Sequence, residues 1–336
     1  MATDKIRVGI IGMGGIAGAH VEGYRRSPHA ELFAIGDVDA KWLEFCRQSS
    51  NVPHAFADYR KMLELDGLDA VSICLPTHLH GEASIAAMNA GKHVLCEKPM
   101  ATTVAEAGAM AEAARRTGRR LMISFNQRFD GGTQFLRRYI EAGNLGDIYF
   151  ARTGWRRPLG MFPQALESRP TGAYDRNWFN EKARGGGVTL DLGCHMIDKT
   201  MYLLGFPEVE RVVGKAYSIF EPTMSKKNTA EDLAAGMIFF KNGLSLQVEV
   251  SFGSFVEREV VFVELYGDKG GASLRDGLKL FSECDGSYIT AVPRNFPPGR
   301  HPAEVFAECL VKGEPTPCTP EEGVAVTKVL CAIRES

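Results

Sequence analysis

Residues 7–18 read RVGIIGMGGIAG, an apolar run that breaks into glycines. Gly12, Gly14 and Ala17 fill a G-x-G-x-x-A spacing. A glycine at the first position turns the chain sharply after a strand. One at the second lets backbone N–H groups approach a pyrophosphate, and a small third residue keeps the following helix close to the strand. Glycine-rich turns also arise for conformational reasons alone, so the flanks decide the reading. An apolar strand, Ile6 to Ile11, precedes the turn, and a helical stretch, Ile16 to Arg26, follows it. A second strand, ELFAIGD, ends in Asp37, about 20 residues further on, where an acid meeting a ribose is expected. The context predicts a dinucleotide site built from Gly12, Met13, Gly14, Gly15, Ile16, Ala17 and Asp37.

Outward from this stretch, strands and helices alternate. Strands are expected over 5–11, 31–37, 53–56, 69–75, 93–96 and 120–125, with helices over 15–26, 40–48, 58–65, 79–90 and 103–117. Such alternation means parallel strands joined by crossover helices, and nearly continuous apolar strands mean burial on both faces, as in a doubly wound sheet. After residue 126 the texture changes. A helix fits 132–142, and a polar stretch with Pro and Trp, Thr153 to Asn180, reads as a loop that shapes a site. From Pro207 to Thr290 strands of alternating polarity are joined by Asn242-Gly243 and Asp285-Gly286, dipeptides suited to type I′ hairpins. A largely antiparallel sheet follows, closed by helices over 303–312 and 320–334.

The chain has 336 residues, 45% of them hydrophobic, enough for two domains. Lys and Arg number 39 against 41 Asp and Glu, a net charge of −2 that gives no reason to expect nucleic acid or an anionic membrane as partner. Eight cysteines are scattered without a C-x-x-C pair, several within apolar strand patterns, so buried reduced thiols are expected rather than a disulfide framework. The start MATDKIRV enters a strand with no apolar signal region, and no apolar run reaches membrane-spanning length. A cytoplasmic protein with small-molecule ligands is expected.

Three further constellations carry chemistry. Strand 69–75 runs into Leu75-Pro76-Thr77-His78-Leu79-His80, placing a polar loop beside the crevice where ligands of such sheets bind. Strand 93–96 runs into Glu97-Lys98-Pro99, which sets a lysine at a strand tip. Gly185-Gly186-Gly187 leads into TLDLGCHMIDKTMYLLG, where Asp191 and His195 are four apart and share a helical face. His78, His80, Cys194 and His195 form no compact ligand motif, so no metal is expected.

GMGGIA, CLPTHLH, GKHVLCEKPMA, SFNQRFD and GGGVTLDLGCHMIDKTMYLLG together resemble the glucose-fructose oxidoreductase and inositol dehydrogenase (Gfo/Idh/MocA) family across nearly the whole chain. The resemblance implies an N-terminal Rossmann domain, residues 1–125, holding NAD or NADP. It also implies a C-terminal α+β domain, residues 126–336, whose large open sheet serves substrate binding and oligomer contacts, as a homodimer or homotetramer. Substrates of that family are typically sugars, cyclitols and related polyols. The lysine of E-K-P and the Asp and His of D-x-x-x-H act on the hydroxyl being oxidised, which carries over to Lys98, Asp191 and His195. Cofactor contacts are expected at Leu75, Pro76, Thr77, His80, Glu97, Lys98 and Asn126, besides the glycine turn and Asp37. Family chains continue past the helix matching AIRES with a short terminal strand, so the resemblance implies a shortened C-terminus.

The chemistry of these residues is consistent with that carry-over. Oxidising a secondary alcohol removes the hydroxyl proton as hydride leaves carbon, and an imidazole of ordinary pKa near 6.5 suits the proton acceptor's role. His195 is assigned that role, Lys98 the stabilisation of negative charge on oxygen, and Asp191 the orientation of substrate or of the protonated imidazole. A carboxylate at Asp37 accepts bonds from ribose hydroxyls and repels a 2′-phosphate, and Val38 offers no compensating arginine, so NAD is favoured over NADP. Arg157 and Trp178 are expected near substrate. Two rival readings are an NAD-dependent glycoside-cleaving enzyme that oxidises its sugar transiently, and a nonenzymatic sensor of nicotinamide redox state.

Overall fold

The computed structural model describes residues 5–159, 176–219 and 230–336. Its first sheet contains β1 (Ile6–Ile11), β2 (Ala30–Gly36), β3 (His54–Phe56), β4 (Ala70–Ile73), β5 (His93–Cys96) and β6 (Leu121–Ile123), all parallel, in the order β3-β2-β1-β4-β5-β6. Every residue of β4 is buried, as expected for a central strand covered on both faces by helices. The connecting helices are α1 (Ala17–Arg26), α2 (Ala40–Ser49), α3 (Tyr59–Leu63), α4 (His80–Asn89) and α5 (Val104–Thr117). From β1 the chain builds outward through β2 and β3, then returns to place β4 on β1's other side. The order therefore reverses between β1 and β4, and a crevice opens beyond their carboxyl ends. The glycine turn leaves β1 into this crevice, and Leu75-Pro76-Thr77 leaves β4 beside it.

The second sheet has the order β14-β13-β12-β11-β7-β10-β9-β8. Its strands are β7 (Ile148–Pro158), β8 (Val209–Tyr217), β9 (Leu233–Phe240), β10 (Ser245–Ser254), β11 (Val260–Gly267), β12 (Gly271–Leu274), β13 (Leu278–Cys284) and β14 (Ser287–Ala291). All neighbours are antiparallel except β7 and β10. Ala151, Thr153, Leu246, Val248, Val263 and Leu265 are buried on one face, toward α7 (Cys194–Leu204), on which α6 (Gly131–Glu141) packs. Register places Arg152, Gln247, Met237 and Val213 side by side on the opposite face, which also carries the Arg152–Glu264 and Arg156–Glu249 ion pairs.

This sheet corrects the expectation of a loop from Thr153. Residues 153–158 end β7, a central strand. The alternation that identifies a strand is present, but its outward residues are arginines paired across strands rather than solvent-facing loop polars. Residues 160–175 of the expected loop lie outside the described residues. The hairpins also divide. Asp285 and Gly286 both have positive φ, 51° and 75°, as a type I′ turn requires. At Lys241-Asn242-Gly243 only the glycine does, at 89°, and Phe240 N donates to the Leu244 carbonyl over a three-residue loop. Asn242 Oδ1 accepts from Leu244 N, a local bond that holds the asparagine in an ordinary conformation, so this is a type I turn with a bulge glycine.

The last two helices return to the first sheet. The α8 helix (Pro302–Lys312) lies so close to α1 that a Cβ on Gly23 would sit 2.4 Å from His301 Nδ1. The α9 helix (Pro320–Glu335) opens with a Thr319/Glu322 capping box and packs on α5, α7 and β8. Among the described residues, no helix is long and apolar enough to cross a membrane.

Candidate active site

The crevice begins at Gly12, whose φ of 89° and contact geometry admit only glycine: a Cβ would lie 2.6 Å from the Cys74 carbonyl oxygen. That close approach holds β1's turn against β4 and leaves the following backbone open to a ligand. The N-terminus of α1 has no capping side chain, as a phosphate-binding helix start requires. Asp37, at the tip of β2, is buried and accepts Met13 N on Oδ2 (2.8 Å) and Asp39 N on Oδ1 (2.9 Å). Each oxygen retains a lone pair for a ribose hydroxyl. A cavity of about 660 Å³ runs from this turn, lined by Met13, Gly14, Asp37, Leu75, Pro76 and Thr77, to Glu97, Lys98, Trp178 and Asp191. The donors, acid and volume fit a nicotinamide dinucleotide.

At the far end, two halves of the chain meet. Lys98 follows β5, and Asp191 lies in a π-helical turn, Thr189–Gly193, that runs straight into α7. Lys98 Nζ donates to Asp191 Oδ1 at 2.8 Å and reaches the Asp191 carbonyl at 3.3 Å. The two side chains remain 19% and 20% exposed. Burial opposes the charge on Lys98, but Asp191 outweighs it and holds the ammonium's pKa above its ordinary value; Lys98 in turn keeps Asp191 below the carboxylate range despite its burial. His195 lies beside them, in the first turn of α7. Burial, reinforced by the Lys98 charge, pushes its pKa to about 3 rather than the ordinary 6.5. Its Nδ1 is buried with no hydrogen-bond partner among the described residues.

The triple glycine sets this geometry. Gly187 has φ of 105°, and a Cβ there would lie 2.4 Å from a Glu231 carboxylate oxygen; one on Gly186 would meet the Phe179 carbonyl at 2.3 Å. Glu231 accepts Thr189 N and pairs with Arg334 of α9, fixing the start of the Asp191 turn. Beneath Lys98, the buried Glu97 accepts a bond from His20 Nε2 at 2.9 Å, and His20 Nδ1 meets Ser72. Burial, the largest influence, would raise the Glu97 pKa, yet the bond and charge of His20, the Ser124 bond and the Lys98 charge together outweigh it and hold the pKa at about 2.

At the end of β7, Trp155 and Arg157 point to the sheet's inner face. The Trp155 ring centroid is 5.9 Å from that of His195, and Arg157 lies over Trp155. Glu259 ties both down, accepting Trp155 Nε1 at 2.6 Å and Arg157 Nε at 2.9 Å. Trp178 stacks on Phe179 at 3.8 Å along the cavity wall.

Two residues expected at the cofactor lie outside the cavity lining. His80 is buried with its ring nitrogens 2.9 and 2.8 Å from the Pro99 and Leu75 carbonyls, so its bonding capacity goes to holding two loops together. Asn126 is exposed beyond β6 and does not line the cavity. Sequence reasoning missed His20, Glu231, Glu259 and Arg334, whose partners lie far away along the chain. Among the described residues, no group of three or more His, Cys, Asp or Glu side chains is placed to hold a metal ion.

Comparison with known proteins agrees with this geometry. Residues 6–125 match the family model for an oxidoreductase family with an NAD-binding Rossmann fold, and residues 133–273 match the GFO/IDH/MocA C-terminal domain. D-glucoside 3-dehydrogenase of Escherichia coli (strain K12) is 31% identical over 100% of this chain and 96% of its own length. Myo-inositol 2-dehydrogenase of Thermotoga maritima is 30% identical over 79% of this chain and 74% of its own. Among solved structures, an oxidoreductase domain protein from Kribbella flavida has a TM-score of 0.87 at 24% identity, covering 98% of this chain and 96% of that one. Levoglucosan dehydrogenase in complex with NADH and levoglucosan shares the fold, with a TM-score of 0.86 at 23% identity and coverage of 98% and 96%.

Proposed function

Because this chain belongs to the GFO/IDH/MocA oxidoreductase family, we propose that it oxidises a secondary alcohol of a sugar or cyclitol with NAD, using Lys98, Asp191 and His195 on the hydroxyl. The observation that carries this reading is the Lys98–Asp191 contact of 2.8 Å, made across the two halves of the chain at the end of a dinucleotide-sized cavity. When bound there, a nicotinamide ring supplies the hydride acceptor. Lys98 has three N–H donors, of which one goes to the Asp191 carboxylate and one reaches the Asp191 carbonyl, which leaves the third for a substrate oxygen. Its raised pKa keeps it cationic, so it stabilises an alkoxide rather than taking a proton. His195 is neutral at any physiological pH and accepts the hydroxyl proton. The Asp191 carboxylate, anionic and beside it, stabilises the resulting imidazolium. Trp155 offers an aromatic face for the apolar side of a sugar ring, and Arg157 and Trp178 border the same space.

Asp37 favours NAD, and the glycine turn with Leu75, Pro76, Thr77 and Glu97 completes the cofactor's contacts. The division between cofactor and substrate domains falls at 125/126. The open face of the second sheet, where Val213 and Tyr217 are 49% and 42% exposed, pairs copies into a homodimer or homotetramer in the cytoplasm. Incubation of the protein with sugars, cyclitols and sugar acids, with NAD or NADP, tests the function through absorbance of the reduced nicotinamide. Reduction with at least one polyol is expected. No reduction across the panel, with release of an aglycone from glycosides, would replace this reading by transient oxidation and elimination.

A further inference from the structure

Along the run from Gly185 to Leu203, four residues are not buried: Asp191, His195, Lys199 and Tyr202. Their spacing of four, four and three puts them on one face, so Asp191 and His195 stand at one end of an open helical stripe. Lys199 lies one turn beyond His195, about 6 Å further along the axis of α7, which is close to the width of a sugar ring. Its positive charge reaches His195.

The Lys199 ammonium has no hydrogen bond or ion pair with any described residue, and burial lowers its pKa. Asp130, the residue before α6, offsets part of that effect by its charge without coming into ion-pair contact. The Asp130 carboxylate is also uncommitted, for it stands at the N-cap position of α6 and caps no N–H there. Other partly exposed cations near the site are tied down: Lys98 by Asp191, Arg157 by Glu259, and Arg137 by the Tyr202 carbonyl. A mostly buried ammonium with nothing to donate to weakens the fold. An open donor at the end of a reactive stripe has a use only when an acceptor arrives.

We propose that Lys199 and Asp130 together bind a second hydroxyl of the substrate, on the part of the molecule away from the carbon being oxidised, with Lys199 donating to its oxygen and Asp130 accepting its O–H. A hydroxyl is acceptor and donor at once, so it satisfies both groups, whereas a carboxylate in that position would meet Asp130 with like charge. The pair thereby selects polyols with a free hydroxyl remote from the reacting one. This inference rests on the alcohol-oxidising reading above.

Steady-state kinetics of the full-length wild type, Lys199→Met and Lys199→Arg test it, with NAD, the polyol that wild type oxidises best among the sugars, cyclitols and sugar acids, and the single-deoxy analogues of that polyol. Thermal melting is measured alongside. Lys199→Met raises KM about tenfold or more, the scale of one charge-assisted bond, with a smaller change in kcat and a melting temperature equal to or above wild type; Lys199→Arg raises KM less. One deoxy analogue already shows a similarly raised KM with wild type, and Lys199→Met raises it no further. An unchanged KM in Lys199→Met overturns the proposal, as does an equal rise for the parent polyol and every deoxy analogue. A large drop in melting temperature also overturns it, because the ammonium would then be holding the fold rather than waiting for substrate. A wild type that oxidises nothing on the panel overturns the alcohol-oxidising reading and this proposal with it, whereas the other contrary results remove only the part played by Lys199.

Discussion

Two buried ion pairs hang from one helical run, about two turns apart, and they differ in what they leave unsatisfied. Asp198 takes Arg128 in a bidentate grip, with Nη2–Oδ1 at 2.5 Å and Nε–Oδ2 at 2.9 Å. The other guanidinium nitrogen donates to Glu322 at 2.6 Å and to the Pro317 carbonyl at 3.0 Å. Phe125, Tyr202 and Phe206 surround it within 5.4 Å, and both partners of the main pair are 1% exposed. This pair welds the segment after β6 to α7 and α9, and nothing in it remains for a ligand. Asp191 and Lys98 are also in hydrogen-bond contact, at 2.8 Å, yet a fifth of each side chain faces the cavity, and the neighbouring His195 has a buried nitrogen without a partner among the described residues. The contrast separates structure from chemistry: a satisfied pair fixes the scaffold, whereas a partly satisfied pair keeps capacity for a reacting oxygen.

Breaking the closed pair is the sharpest way to test that contrast. Arg128→Ala leaves Asp198 buried without its cation, and burial, which already raises its pKa to about 6, then forces it to take up a proton or stay an unpaired charge, so stability falls by about 3–5 kcal/mol, read by chemical denaturation, while turnover per folded molecule is retained. Loss of turnover with little change in stability would put Arg128 in the chemistry and erase the distinction.

Breaking the open pair gives the converse. Lys98→Ala and His195→Ala each lower kcat by about 10²–10³ with smaller effects on melting and on NAD binding. Wild-type turnover in both variants would remove them from the mechanism.

The pH profile distinguishes the pairs more finely. His195 accepts a proton only when neutral, and burial with Lys98 holds its pKa at about 3. Activity is therefore lost as pH falls through that value, so kcat/KM measured from pH 5 to 8 shows no acid limb near 6.5. A limb centred there would assign proton transfer to an imidazole of ordinary environment. Stability moves the same way: His195 binds a proton more readily unfolded, so the melting temperature declines as pH falls below about 6.5.

Smallest is the effect expected at the other end of the cavity. Asp37→Ala removes the ribose acceptor and the repulsion together, which narrows the preference for NAD over NADP by about tenfold, measured as the ratio of the two dissociation constants. An unchanged ratio would deny Asp37 that role.

The parts legible in sequence are those whose information is local. The turn at Gly12, Gly14 and Ala17 reads from its spacing together with the strand, helix and acid that flank it, and Lys98 and Asp191 read from a strand tip and a glycine-led helix. Residues that act through distant partners leave no such mark. Arg128 finds Asp198 across 70 positions, His20 finds Glu97 across 77, and Glu231 acts through Thr189 and Arg334. His80 shows the reverse case: a polar residue at a crevice loop reads as a ligand contact, and only coordinates reveal that its ring faces two carbonyls. The centre of the second sheet was hidden because Arg152 and Arg156 face outward into cross-strand pairs, which in sequence looks like loop polarity.

The central claim, that Lys98 and His195 from opposite halves of the chain converge on one reacting carbon, is tested most directly by a crystal structure with NAD and a polyol found in the screen. The account predicts a substrate hydroxyl within about 3.2 Å of both Lys98 Nζ and a His195 ring nitrogen, with its carbon facing the nicotinamide. A ternary complex whose hydroxyl lies away from both groups would contradict it.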